Sequence, residues 1–281
     1  MSHIPKGVWG PKKAQLAWGF VFLIKYHKYM AKQRFYINTK GNDDNAYLEA
    51  IKKARELANS DIEIKKVILL IPNKRCTGWF ERLFGQGVVK KLFIGHKFNN
   101  CNALFKFETV KTYQDNYTLS EIVIICGLNL KDILKIDDFY SVKSIIAIPW
   151  LENELEKWVK TWNPINLRSG LKATENYLEP SCIVKKAMEN LTYSINMSTG
   201  ISHPLDEERA KTFILALHKY EPSLNPNVIG AYLVRELSWS NRHAQDIEKL
   251  INTLNSGKYF KGGQRTGLKN YYKQWKKECK E

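Results

Sequence analysis

The segment Val67-Ile68-Leu69-Leu70-Ile71-Pro72 decides the fold. It is apolar at every position, rich in branched side chains, and stopped by a proline that has no N–H to offer a ladder. A strand with one wet face alternates. A strand apolar on both faces is covered on both faces, as a central strand of a parallel sheet is. Upstream, Asn45 to Asn59 has helical spacing: Tyr47, Leu48, Ile51, Ala54, Leu57 and Ala58 fall on one side and Lys52, Lys53, Arg55 and Glu56 on the other. Asp43 or Asp44 is its natural N-cap. Downstream the theme repeats. Residues 77 to 84 read as a helix, and Lys91-Leu92-Phe93-Ile94 as a second short strand. Leu104 to Val110 alternates like a half-exposed edge strand. Ile122 to Cys126 is a third buried strand, followed by a helix over about 129–136. Ser144 to Ile148 is a fourth, ended by Pro149, and Leu151 to Trp162 reads as helix. Strand alternating with helix predicts a Rossmann-like, mostly parallel sheet with right-handed crossovers.

The pattern changes near Asn163-Pro164. Beyond it no strong strand is visible. Ala173–Thr192, Asp206–Tyr220, Asn227–Leu237, Asn241–Leu254 and Thr266–Lys280 read as helices, separated by Gly200, Pro204, Pro222, Pro226, Gly257 and Gly262-Gly263. The expected organisation is a Rossmann-like α/β domain over residues 1–165 and an all-helical basic domain over 166–281. A chain of 281 residues holds two ordinary cores without needing a metal or a disulfide staple.

Charge is unevenly placed. The net charge is +16. Residues 1–40 carry eight Lys or Arg and no Asp or Glu; residues 256–281 carry eight Lys or Arg against two Glu; the rest is close to neutral. Clustered cations displace counterions from a phosphate backbone and so bind nucleic acid without reading its sequence. The segment from Lys258 to Lys269 is basic, glycine-rich and aromatic, and it opens a helix with a stripe of Leu268, Tyr271, Tyr272 and Trp275. The expected nucleic-acid contacts are Lys258, Lys261, Arg265, Lys269, Lys273, Lys276 and Lys277, with Tyr271 and Trp275 stacking on bases. Helices 227–237 and 241–254, joined by Ser238-Trp239-Ser240, also have the outline of a helix-turn-helix.

A second candidate follows from topology. In an open parallel sheet, ligands sit beyond the carboxyl ends of the strands. That rule selects Asn73, Lys74, Arg75 and Thr77 after the first strand and His96 after the second. It adds Gly127 and Asn129 after the third and Trp150 after the fourth. Cations and a hydroxyl before a helix N-terminus suit an anion. There is no G-x-G-x-x-G or Walker A sequence, no metal-ligand spacing and no complete catalytic motif; Gly85-Gln86-Gly87 reads as a helix end. No cofactor and no reaction are named by these residues.

Five cysteines, none in C-x-x-C spacing, suggest a reducing interior, with Cys126 a small core residue. The apolar stretch Leu16–Ile24 is too short to cross a bilayer and is followed by Lys25, His27 and Lys28 rather than a cleavage site. It reads as a buried first helix with a basic edge at Lys25, Lys28 and Lys32. The sequence thus points to a cytoplasmic protein, not a membrane one, that associates with DNA or RNA through basic ends. The alternatives are an enzyme or sensor for a nucleotide-like small molecule at the strand ends, and an interaction subunit of a larger assembly.

Overall fold

The computed structural model describes residues 32–39, 43–117, 120–172, 179–221 and 223–280. The expected first helix at Leu16–Ile24 and its Lys25 and Lys28 lie outside these residues. Six parallel strands form one sheet: β1 Gln33–Tyr36, β2 Ile64–Ile71, β3 Leu104–Thr109, β4 Ser120–Cys126, β5 Val142–Ile148 and β6 Ile165–Asn166, in the order β3-β2-β4-β5-β1-β6. Helices α1 (Asp44–Ser60) and α2 (Gly78–Ile94) cover one face. There Tyr47, Ala50, Ala54 and Phe80 pack with Leu69, Ile71, Ile122 and Ile124. Helices α3 (Leu130–Asp137) and α4 (Glu156–Trp162) cover the other, with Ile133, Leu134 and Trp158 against Ile68, Leu70, Val123 and Ile125. The alternating burial of β2, β4 and β5 residues between these two cores is the reason their sequences are apolar throughout.

Strands β2 and β4 are neighbours, but the chain leaves β2 toward β3 and leaves β4 toward β5 in the opposite direction. Their carboxyl ends therefore flank a topological switch point, where departing loops splay apart and leave a crevice.

Two strands escape the sequence reading. β1 begins inside a basic stretch, and β6 has two residues. β1 is possible because its charges are neutralised from afar. Asp137, fully buried at the end of α3, accepts from Arg34 Nε at 3.1 Å and from Trp158 Nε1 at 2.8 Å. Lys32 Nζ stands 3.6 Å from the same carboxylate and donates to the Phe139 carbonyl at 3.0 Å. The Arg34 guanidinium lies 3.4 Å from the Trp162 ring centroid. Lys32 is thus no solvated edge. Burial pulls its ammonium pKa down to about 8, against the pull of Asp137. The cations at Arg34 and Lys32 hold the Asp137 carboxyl below the usual range despite its burial.

Two other readings are corrected. Lys91-Leu92-Phe93-Ile94 is the last turn of α2, not a strand: Gly85 breaks the helix at φ 77° and ψ 157°, and the chain then resumes helical backbone. Residues 151–155 form turns, so α4 starts later than the apolar spacing implies.

Helices α5 (Cys182–Ser194), α6 (Pro204–Tyr220), α7 (Pro226–Glu236), α8 (Asn241–Asn255) and α9 (Leu268–Glu278) make a bundle with its own core, including Leu191, Ile214, Leu233, Trp239, Ile251 and Trp275. β6 straddles the expected boundary at 165. The Leu167 amide bonds the Tyr36 carbonyl, and Arg168 pairs with Asp43 at 2.7 Å and Glu49 at 3.1 Å. Cys182 and Cys279 form a disulfide, while Cys76, Cys101 and Cys126 are free. The absence of local spacing was therefore a poor guide to pairing, and the cysteine argument for a reducing interior loses its footing. Cys126 is buried in the core as expected.

Bundle and sheet meet through α3, α4, α7 and α8. Gly230 on α7 passes so close to α8 that a Cβ there would stand 1.8 Å from Glu248 Oε1. Glu248 in turn takes an ion pair from Lys157 of α4. Asp138 Oδ1 accepts from the Asn241 amide at 2.9 Å and from Asn241 Nδ2 at 2.7 Å. Burial pushes the Asp138 carboxyl up from 3.8 to about 6. The native state therefore holds this proton more tightly than the unfolded chain does. The stability linked to it is present below the unfolded pKa and is lost as pH rises through about 6. Asp138→Asn keeps an oxygen for both donors and removes the charge. Its unfolding free energy from urea denaturation, compared with wild type, should pull ahead as pH climbs from 4 to 7, by up to about 2–3 kcal/mol. An unchanged gap across that range would show that Asp138 is not desolvated.

Candidate functional site

Four helices begin at this edge of the sheet, and two of them, α1 and α3, are closed by their own side chains. Asp43 caps α1 by accepting from the Ala46 amide at 3.1 Å, and Asn129 caps α3 by accepting from the Asp132 amide at 3.0 Å. α2 differs. Its N-cap Thr77 makes no side-chain cap, because its hydroxyl donates to Glu81 Oε1 at 2.9 Å. The leading amides of α2, which a helix leaves without internal acceptors, stay open beside the exposed Lys74 and Arg75. Neither side chain forms an ion pair with a described residue. Asn73 shapes the loop, its Oδ1 accepting from the Arg75 amide at 2.9 Å.

Aromatic rings roof the same edge. Trp79, the second residue of α2, lies 5.8 Å from Trp150 and stacks at 5.5 Å on Tyr47. Trp150 is 44% exposed. Gly127, at φ 64°, lies against it: a Cβ there would be in van der Waals contact with the Trp150 ring at 3.4 Å. Beneath the rings, the Tyr47 hydroxyl and Trp79 Nε1 are buried without hydrogen-bond partners. Burial pushes the Tyr47 phenol pKa up, with Cys126, Asp44 and Asp43 adding to it. A cleft of about 410 Å³ opens beside Lys74, lined by Phe93, Phe107, Glu108, Thr109 and Thr112.

Of the residues expected at this edge, Lys74, Arg75, Thr77, Gly127 and Trp150 gather around the crevice. Asn73 and Asn129 are committed to loop and cap bonds. His96 does not belong: it bridges Phe105 at the start of β3, at the opposite edge of the sheet, because Lys91–Ile94 is helix. Sequence reasoning missed Tyr47 and Trp79. For Trp79 the available signal was the pair Trp79-Phe80 next to the loop at 72–78; for Tyr47 the local pattern offers none.

The second surface is α9 with the loop before it. Leu268 and Trp275 are buried, and Tyr271 and Tyr272 are half-buried. Trp275 is 1% exposed and packs 5.1 Å from Phe213, so it is core and not a stacking platform. Tyr271 packs on Phe213 at 5.3 Å. Lys269, Lys273, Lys276, Lys277 and Lys280 form the exposed stripe opposite, about 17 Å long at helical rise. Lys258, Lys261 and Arg265 are exposed as well. On α5, α6 and α8 four lysines are paired, Lys185 with Glu179, Lys186 with Glu189, Lys211 with Glu207 and Lys249 with Asp246, while Lys219 of α6 lies over the Tyr220 ring. Lys258, Lys261, Lys269, Lys273, Lys276 and Lys280 form no ion pair with any described residue. The helix-turn-helix reading fares differently. The N-terminus of α8, which would have to enter a groove, is docked on α3 through Asn241, and the turn is anchored by Trp239, 1% exposed.

Among the described residues no group of three His, Cys, Asp or Glu is arranged to hold a metal ion, and no helix is long and apolar enough to cross a membrane. The fold defines an α/β sheet protein with a helical bundle. A family model described as a domain of unknown function, DUF1889, matches residues 180–276, which span the bundle from the residues before α5 into α9. No curated protein and no solved structure matches the chain.

Proposed function

We propose that this protein associates with nucleic acid, without reading sequence, through the basic surface of α9 and residues 258–269. The observation that carries this reading is the concentration of exposed cations: Lys269, Lys273 and Lys276 on α9 and Lys258 and Lys261 before it form no ion pair with any described residue, whereas Lys185, Lys186, Lys211 and Lys249 elsewhere in the bundle each have a carboxylate partner. Soluble surfaces intersperse both signs. A single-signed stripe of exposed cations on a docked helix instead suits a polyanion. With Trp275 in the core, affinity rests on phosphate contacts rather than base stacking. A cytoplasmic setting suits such a partner. In a reducing cytosol the burial of Leu268 and Trp275 keeps α9 docked even where the Cys182–Cys279 bond is open.

Binding to unrelated DNA and RNA strands of equal length, titrated against salt, tests this. Affinity should fall with a log–log slope of roughly −0.7 to −0.9 per phosphate contacted. Changing Lys269, Lys273, Lys276 and Lys277 to Gln should weaken all strands alike and flatten the slope, with little change in melting temperature, since exposed charges contribute little to the fold. No binding at low salt, or binding indifferent to the four changes, would remove the reading.

A further inference from the structure

We propose a second, separate site: the crevice between the carboxyl ends of β2 and β4 binds a nucleoside phosphate, its phosphate at the α2 N-terminus and its base on Trp150. Three independent observations converge there. The switch point puts the loops after β2 and β4 on either side of an opening. Of the helices starting at this edge, α1 and α3 are capped by their own side chains and α2 and α4 are not; just before α2, Lys74 and Arg75 form no ion pair with a described residue. An anion there meets open N–H dipoles and two cations together.

The third observation lies under the rings. Tyr47 is 1% exposed, yet its hydroxyl has no partner, and Trp79 Nε1 is likewise buried and unbonded. Leaving such groups dry and unpaired is costly, and native structures rarely tolerate it without a reason. Both belong to the aromatic stack that ends at Trp150, the most exposed ring of that stack. A ligand with a flat heteroaromatic face and ring-edge acceptors supplies both the stacking and the missing partners. A bare phosphate or an apolar ring supplies only one. The class is therefore base plus phosphate on one small molecule. Glu81, already holding the Thr77 hydroxyl, sets the limit on how much negative charge the site accepts.

The test uses the full chain with ATP, AMP, adenosine and inorganic phosphate as probes, read by calorimetry. ATP or AMP should bind saturably and more tightly than adenosine or phosphate. Lys74→Ala with Arg75→Ala should weaken the nucleotide at least tenfold while leaving adenosine unchanged. Trp150→Ala should weaken nucleotide and adenosine alike by about 5- to 150-fold, the range that base stacking on an aromatic ring commands. The α9 variant with four Gln should bind ATP as wild type does, which separates this site from the nucleic-acid surface. Three results would overturn the proposal: no saturable binding of any nucleotide, binding indifferent to both crevice variants, or ATP binding lost with the α9 lysines.

Discussion

Asp137→Ala should lower the unfolding free energy by about 3–5 kcal/mol, the cost of removing one partner from a buried ion pair. The carboxylate is fully buried and is the shared partner of Arg34, Lys32 and the Trp158 indole. Without it, two cations remain inside the protein between β1 and α3. The loss should be visible in urea denaturation as a lower midpoint with an unchanged slope. A joint change, Lys32→Met, Arg34→Met and Asp137→Leu, should recover much of it, because apolar residues of similar volume often replace a buried charge cluster at no net cost. A loss under about 1 kcal/mol for the single change would mean that water reaches the cluster.

Trp275→Ala should cost about 3–5 kcal/mol, as large aromatic truncations in a core do. The ring packs between Phe213 and Tyr271 and joins α9 to α6. Tyr271→Ala should cost less, since that ring is only half-buried. The informative comparison is with nucleic-acid binding under conditions where the variant remains folded. If Trp275 is core only, affinity per folded molecule stays near wild type. A drop of about 1–3 kcal/mol per folded molecule would restore the ring as a base-stacking residue.

Much of this fold is legible in sequence because burial writes it plainly. β2, β4 and β5 are covered on both faces, so they read as unbroken apolar runs, and β3, at the sheet edge, reads as an alternation. The bundle helices are legible from amphipathic spacing and breakers. β1 is not, because Lys32 and Arg34 look like surface charges until Asp137, over 100 residues later in the chain, is brought beside them. Lys91–Ile94 misleads for a different reason: four residues cannot distinguish a helix end from a strand, and only the restart of helix after Gly85 decides it. That error carried His96 to the wrong edge. The loop at 74–77 is reachable from topology alone, whereas Tyr47 reads only as a helix core residue. Its packing on Trp79 depends on how α1 and α2 lie side by side, which no local pattern encodes. In the C-terminal segment the amphipathic stripe was visible, but not whether its aromatic face was free or docked.

The disulfide between Cys182 and Cys279 spans 97 positions and joins the first residue of α5 to the residue after α9. Every helix of the bundle lies inside that loop. Covalently the bundle is therefore a ring, which the chain from the sheet enters at Cys182. A single protease cut in any of its connecting loops opens the ring without dividing it. The two pieces stay one molecule, with the lysine-bearing helix still attached, until a thiol reductant releases them.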